Sequence, residues 1–429
     1  MRDRGWSAKP SSDVVRRHRP DYMIALYMGM LMLIGLVVIY AIGPQRANVL
    51  NNAIGSNYSD SYFFIKQMTS LVLAIVAFCA ISVIPYKFIL KHAAKLLILG
   101  LIACVILFIA SKAGLSIADA TNGASRWFNL GVLGSLQPAE IVKFGLLLYL
   151  AVFLGTRAKE GRVNDVKATL IPVGVITGLS LLFIVVIQKD LGTGIALSAI
   201  VITMLFMAGL SKKIGVALAV TVLVIGGLFI FTAPHRVERI VTYLQGDNVS
   251  SEEANGDSYH IQHAKIAIGS GGLTGVGIGN SVQATGYLPE VINDSVFAVL
   301  GETFGFVGLI AIMAIFVGLL LRLLKVLDHL VDIRLKLLVA GVFGWFGAHV
   351  ILNIAAMLGI VPLTGITLPL ISFGGTSMIF ITAALGLVFQ LSRYTVHGSR
   401  LPTIEGNKHE DSGSRRRVGR TRYASRRSS

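Results

Sequence analysis

Three acids lie where this chain turns from polar to apolar, and acids are rare there. Glu290 and Asp294 precede a long apolar run, and Glu302 falls inside it. A carboxylate at the edge of an apolar helix can take a proton from a hydroxyl as a general base, or hold a divalent cation. It can also simply cap the helix, because Asp is a preferred N-cap residue. Asp190, in front of another apolar run, poses the same choice. Glu302 does not fit a cap, and an acid within an apolar helix needs a partner. Glu140 and Lys143 open a further run after Gln137 and Pro138. Proline at the first helical position, an acid in the first turn and a Glu–Lys pair three apart make a sound helix start. The same pair at membrane depth is costly and marks function. His260 and His263 have H-x-x-H spacing, but no nearby Cys or third ligand completes a metal site. P-loop, HExxH, GxSxG and paired CxxC patterns are absent. The glycine run 269–279 lacks the dinucleotide spacing, so it reads as sharp turns and close backbone approach, with amides available to an anion.

The elements that must position these residues are membrane helices. The 429 residues are 54% hydrophobic and 14% charged, with mean hydropathy +0.73, whereas a soluble domain is about a quarter charged. Spans need about 20 mainly apolar residues. They are expected at 22–42, 62–84, 93–110, 138–154, 169–187, 191–210, 214–231, 295–321, 337–360 and 378–391. The expected fold is therefore an all-α polytopic membrane protein of about ten transmembrane helices. A basic segment (1–21) precedes the membrane domain (22–394), and a basic, disordered tail (395–429) follows it. One long loop, 232–294, joins the seventh and eighth spans; its part from Tyr259 to Asn280 is apolar enough to pack on the bundle or the membrane. Lys and Arg crowd the loops on the side of the termini, among them Lys87, Arg157, Arg162, Lys212, Arg322 and Arg334. The positive-inside rule then makes both termini cytoplasmic and the long loop extracytoplasmic. The net charge of +16 sits largely in the two ends. Without an aromatic-interleaved basic fold it points to membrane lipids and not to nucleic acid.

In order along the chain come GASRWFNLG (123–131), LQPAEIVK (136–143), QKDLGT (188–193), AIGSGGL (267–273) and LPEVIND (288–294). Gly301-Glu302, PLTGITLP (362–369) and SFGGTS (372–377) follow. Together they resemble the SEDS family (shape, elongation, division and sporulation) over nearly the whole membrane region. The resemblance implies a ten-helix glycosyltransferase of the bacterial cytoplasmic membrane that polymerises lipid II, the undecaprenyl-diphosphate-linked disaccharide-peptide. It also implies a class B penicillin-binding protein (a transpeptidase) as partner. The family's outer-loop aspartate falls on Asp294, its Arg-Trp on Arg126 and Trp127, and its intramembrane pair on Glu140 and Lys143. The segment before the first helix and Leu391-Ser-Arg-Tyr394 resemble the division type (FtsW) more than the rod-elongation type (RodA). That implies a place at the division septum among other division proteins.

On this reading Asp294 is the catalytic residue, as general base or as ligand to a divalent cation (Mg or Mn), and no other cofactor is implied. Cations facing outward steady the diphosphate: Arg126 first, then Lys265, Arg236 or Lys143. Trp127, Glu140, Glu290 and Glu302 complete the expected substrate-binding set. A lipid II flippase using Glu140, Lys143 and Glu302 as a polar path is the competing reading, with a recruiting scaffold as a third. This chain departs from the family at Lys189, where proline is usual, at Ala139, at Asn293 and Ser295 around Asp294, and at Thr303.

Overall fold

Lipid offers no hydrogen bonds, so a backbone crossing it must satisfy itself as helix. The computed structural model describes residues 18–121, 124–129, 131, 134–218, 220 and 256–396. Nine helices among these described residues are long and apolar enough to cross a membrane. The order is α1 (Tyr22–Ile54), α2 (Tyr62–Val83), a short α3 (Tyr86–Lys91), α4 (Ala93–Lys112) and α5 (Pro138–Lys159). Then come α6 (Ile171–Leu181), flanked by π-helical turns that extend its span to Val166–Ile187, and α7 (Leu191–Ala208). After these lie α8 (Gly256–Ser270), α9 (Val296–His329), α10 (Ile333–Met357) and α11 (Gly375–Leu391). The nine spans coincide with nine of the expected runs. The expected seventh, 214–231, falls mostly outside the described residues, as do 1–17, 221–255 and the tail from 397.

Three features differ from the sequence reading. The first helix continues past Pro44 to Ile54, where Gly55 takes the left-handed conformation and donates to the carbonyl of Asn51. A small antiparallel sheet, β1 (Ala118–Thr121), β2 (Ala124–Asn129) and β3 (Ser135–Leu136), adds strands to an otherwise helical protein. Phe128 of this sheet packs on Leu107 and Ala110 at the end of α4, which gives the short strands an apolar anchor. And 232–294 is not loop throughout: residues 256–270 form α8, which packs along α9.

Burial separates an inner from an outer set of helices. In the most apolar stretches of α5, α10 and α11, 72% of residues are buried, against 17% in α2 and in Val166–Ile187. The outer helices present residues such as Val72, Val76 and Val175 outward, as lipid contact requires. Inside, α4 and α5 touch backbone to backbone. A Cβ on Gly100 would lie 2.9 Å from the Val142 nitrogen, and one on Gly145 2.7 Å from the Leu97 Cα. Small residues at helix contacts give this closeness.

A break in α9 positions the outer loop. Gly305 has φ 65° and ψ −171°, outside any helical region, so the carbonyls and amides around it lose their partners within the helix. The glycine run supplies them. Val276 and Gly277 donate to the carbonyls of Glu302 and Thr303 at 2.9 and 3.1 Å, while Phe306 and Val307 donate to those of Gly272 and Leu273 at 2.8 and 3.1 Å. The close approach expected of these glycines is present, and several of their amides serve this exchange rather than an anion.

Both described ends of the membrane domain meet on one face. The His18 amide donates to the Arg393 carbonyl and the Asp21 amide to Ser392 Oγ, each at 2.9 Å. Arg322 of α9 lies 3.8 Å from the Asp21 carboxylate. Entry and exit on one face fit an even number of crossings.

Candidate functional site

Two charged clusters share α10 as a common wall. The first is the pair that opens α5. Lys143 is fully buried and Glu140 is 2% exposed; Nζ donates to Glu140 Oε1 at 2.8 Å. The ammonium also lies 4.9 Å from the ring centre of Trp345 and 3.5 Å from His349 Nε2. An ammonium can only donate, so His349 Nε2 accepts and its proton sits on Nδ1, which faces the Thr367 carbonyl at 3.5 Å.

Just before α5, Gln137 Nε2 donates to Asp190 Oδ2 at 3.0 Å. Asp190 is a true N-cap: Oδ1 accepts from the Thr193 amide at 3.0 Å, opening α7. The turn that leads into this cap is held by Arg126. Its Nη2 and Nε donate to the carbonyls of Lys189 and Gln188 at 2.8 and 3.3 Å, and its guanidinium lies 6.0 Å from the Trp127 ring. Lys189 has φ 53°, a conformation closed to proline. At this position, where the resemblance implies proline, the chain makes a left-handed turn whose carbonyl Arg126 engages.

The second cluster surrounds Asp294. The N-cap of α9 is Ser295 and not Asp294, which corrects the reading of Asp294 as a simple cap. Ser295 Oγ donates to the Pro289 carbonyl at 2.7 Å, and His260 of α8 bonds to the same oxygen. The main-chain carbonyl of Asp294 accepts from Asn353 Nδ2 at 2.7 Å, and the same nitrogen donates to the Ile366 carbonyl at 2.7 Å. Glu290 and Asp294 lie in a series of turns in which Glu290 itself has φ 47°. The Glu290 carboxylate accepts from Asn293 Nδ2 at 2.5 Å and lies 3.6 Å from Arg46.

Glu302 is 1% exposed, and both of its oxygens are engaged within the protein. Oε2 accepts from Ser281 Oγ at 2.5 Å, and Oε1 from the Val282 amide at 2.9 Å. The partner that an intramembrane acid requires is therefore the outer loop, which Glu302 clamps to α9 at the start of the short helical turn Gln283–Thr285. His263 Nδ1 bonds to Gln283 Oε1 at 2.8 Å, so the two histidines of H-x-x-H serve separate partners. Lys265 is exposed on α8, and its aliphatic stem passes beside Gly359. Arg236 lies outside the described residues. Among the described residues no three His, Cys, Asp or Glu side chains converge as a metal site.

The whole arrangement spans the region that family comparison detects. A family model for FtsW, RodA and SpoVE, described as cell cycle protein, matches residues 21–397. The chain is a member of this family. Stage V sporulation protein E of Bacillus subtilis (strain 168) is 29% identical over 388 residues, covering 89% of this chain and 99% of that protein. A probable peptidoglycan glycosyltransferase FtsW of Coxiella burnetii is 33% identical over 340 residues, covering 78% and 87% of the two chains. Among solved structures, RodA of Thermus thermophilus superposes with a TM-score of 0.60 at 24% identity, over 88% of this chain and 98% of its own. A chain of a peptidoglycan synthase complex, described for coordinating polymerization and crosslinking, gives a TM-score of 0.67 at 24% identity, over 87% and 98%. These structures share the fold.

Within this FtsW/RodA/SpoVE fold the sequence reading overlooked the wall between the clusters. Trp345, His349 and Asn353 are all nearly fully buried and follow one another at four-residue spacing, which places them on one helical face. The signal was available: a histidine and an asparagine one turn apart in an apolar span are polar groups that need partners.

Proposed function

We propose that this multi-pass membrane protein is a peptidoglycan glycosyltransferase that polymerises lipid II at the outer face of the cytoplasmic membrane, in septal wall synthesis. The observation that carries the reading is the placement of Asp294. It lies where the surface turns meet α9, one residue ahead of the helix cap, with its main chain tied to the inner wall by Asn353. A carboxylate at such a mouth suits a general base for an acceptor hydroxyl. The relatives named as peptidoglycan glycosyltransferases are similar across most of their length, which supports the reaction class. A class B penicillin-binding protein is the proposed partner, by analogy with the complex that couples polymerization to crosslinking.

Arg126 supplies the cation for the diphosphate. Two of its five N–H donors face the turn at Gln188 and Lys189, and the proposed role gives phosphate oxygens to the others. Lysine in its place is a point charge that cannot serve both the turn and a ligand. Arg126→Lys should therefore cut polymerisation about tenfold or more, the worth of one charge-assisted hydrogen bond, at near-normal expression. Wild-type rates in this variant would remove Arg126 from the phosphate role.

The proposed orientation puts both termini in the cytoplasm and 232–294 outside, from the Lys/Arg bias. Cysteines introduced at Ser250 and Ser412 distinguish the faces in intact cells with an impermeant thiol reagent. Position 250 should label and 412 should not; the reverse pattern would invert the topology.

The flippase reading draws on the buried Glu140–Lys143 pair as a polar element at depth. Vesicles carrying the protein and labelled lipid II separate the two. Polymer formation supports the transferase. Movement of lipid II between leaflets without polymer supports the flippase.

A further inference from the structure

The side chain of Asn353 points its nitrogen at two main-chain oxygens, those of Asp294 and Ile366, each 2.7 Å away. Both neighbours are acceptors, so the amide orientation is fixed by chemistry: the NH₂ end must face them. Its Oδ1 has no partner among the described residues, so the donor end is what the fold uses. One turn earlier on α10, His349 reaches from Lys143 to the carbonyl of Thr367, the residue after Ile366. The segment 362–369 is thus fastened to α10 at two successive residues. Just beyond this segment the chain is fastened to the turn before α9 at another point, where the Phe373 amide donates to the Ile292 carbonyl at 2.8 Å. The backbone bearing Asp294 is located by these ties, and the one nearest to it is Asn353.

We propose that Asn353 is a positioning residue for Asp294: its amide holds the main chain at residue 294 against the 362–369 segment and so fixes where the carboxylate points. The proposal rests on the reading of Asp294 as general base. Direction matters because displacing a catalytic group by about 1 Å can cost on the order of a hundredfold in rate. A purely structural asparagine would lower the amount of folded enzyme, while a positioning one lowers kcat per folded molecule with KM little changed. Asn353→Asp is isosteric and sets a carboxylate against two carbonyl oxygens. Asn353→Ala removes both bonds without that repulsion.

Lipid II polymerisation by purified wild type, Asn353→Asp, Asn353→Ala, Asp294→Asn and the double variant Asp294→Asn/Asn353→Ala decides the matter, with rates scaled to folded protein. Expected are falls in kcat of about ten- to a hundredfold for both single Asn353 variants, with KM within about twofold. In single-turnover measurement the double variant should be no slower than Asp294→Asn alone, because Asn353 acts through Asp294. Wild-type kcat in either Asn353 variant, or an additive loss in the double variant, would overturn the proposal. If Asn353→Ala fails to fold, the kcat of Asn353→Asp carries the test. Full activity of Asp294→Asn would instead defeat the general-base reading, and the inference with it.

Discussion

Asp294→Asn is expected to fold, reach the membrane and make no detectable glycan strand. The substitution keeps the shape and takes away the proton acceptor. General-base contributions are about a hundred- to ten-thousand-fold, which places the residual rate below the sensitivity of an ordinary polymerisation assay. The bland account of Asp294 as a cap predicts the opposite, since Asn caps about as well as Asp. That account is already weakened, because the cap position belongs to Ser295. The tie from Asn353 is to the main-chain carbonyl of residue 294 and is retained in Asp294→Asn, so the fold should be undisturbed. Glycan strands resolved by gel, with membrane-protein yield as the control, give the answer. Near-wild-type polymer would move the search for a base to Glu290, since both oxygens of Glu302 are already occupied by Ser281, Val282 and Gln283.

Lys143→Met should be the most destabilising single change at the site. It removes the partner of a carboxylate that is 2% exposed, takes the cation from the Trp345 face and leaves His349 Nε2 without its donor. Breaking one side of a buried ion pair costs about 3–5 kcal/mol, whereas replacing both sides with apolar groups of similar size is often neutral. Glu140→Leu together with Lys143→Met should accordingly regain thermal stability in detergent. If the pair also serves the reaction, polymerisation will stay lost in the stable double variant. Activity returning along with stability would make the pair purely structural.

The charged residues were the legible part of the candidate site. Glu140, Lys143, Asp294 and Glu302 stand out because acids and bases are scarce in apolar runs, and the helix boundaries follow from the same contrast. What surrounds them was harder to read. Lys143 and His349 meet only because α5 packs on α10, some two hundred residues further along the chain, and local periodicity carries no such pairing. Asn353 is an uncharged residue in a hydrophobic span, so its two hydrogen bonds, to the carbonyls of Asp294 and Ile366, left little mark in hydropathy. The strands around Arg126 are too short to show a period of two, and the left-handed conformation of Lys189 contradicts what a lysine suggests. The glycine run was read correctly as close packing, but its partner could not be named. That partner is the broken stretch of α9, and the break at Gly305 is visible only in the backbone angles.

The most direct test of the central claim is polymerisation of purified lipid II by the purified protein in the presence of a class B penicillin-binding protein whose own transpeptidase site is blocked. Glycan strands longer than the starting disaccharide should appear with wild type and be absent with Asp294→Asn at equal folded concentration. Lipid II that remains monomeric with folded, partner-bound wild-type protein would contradict the account.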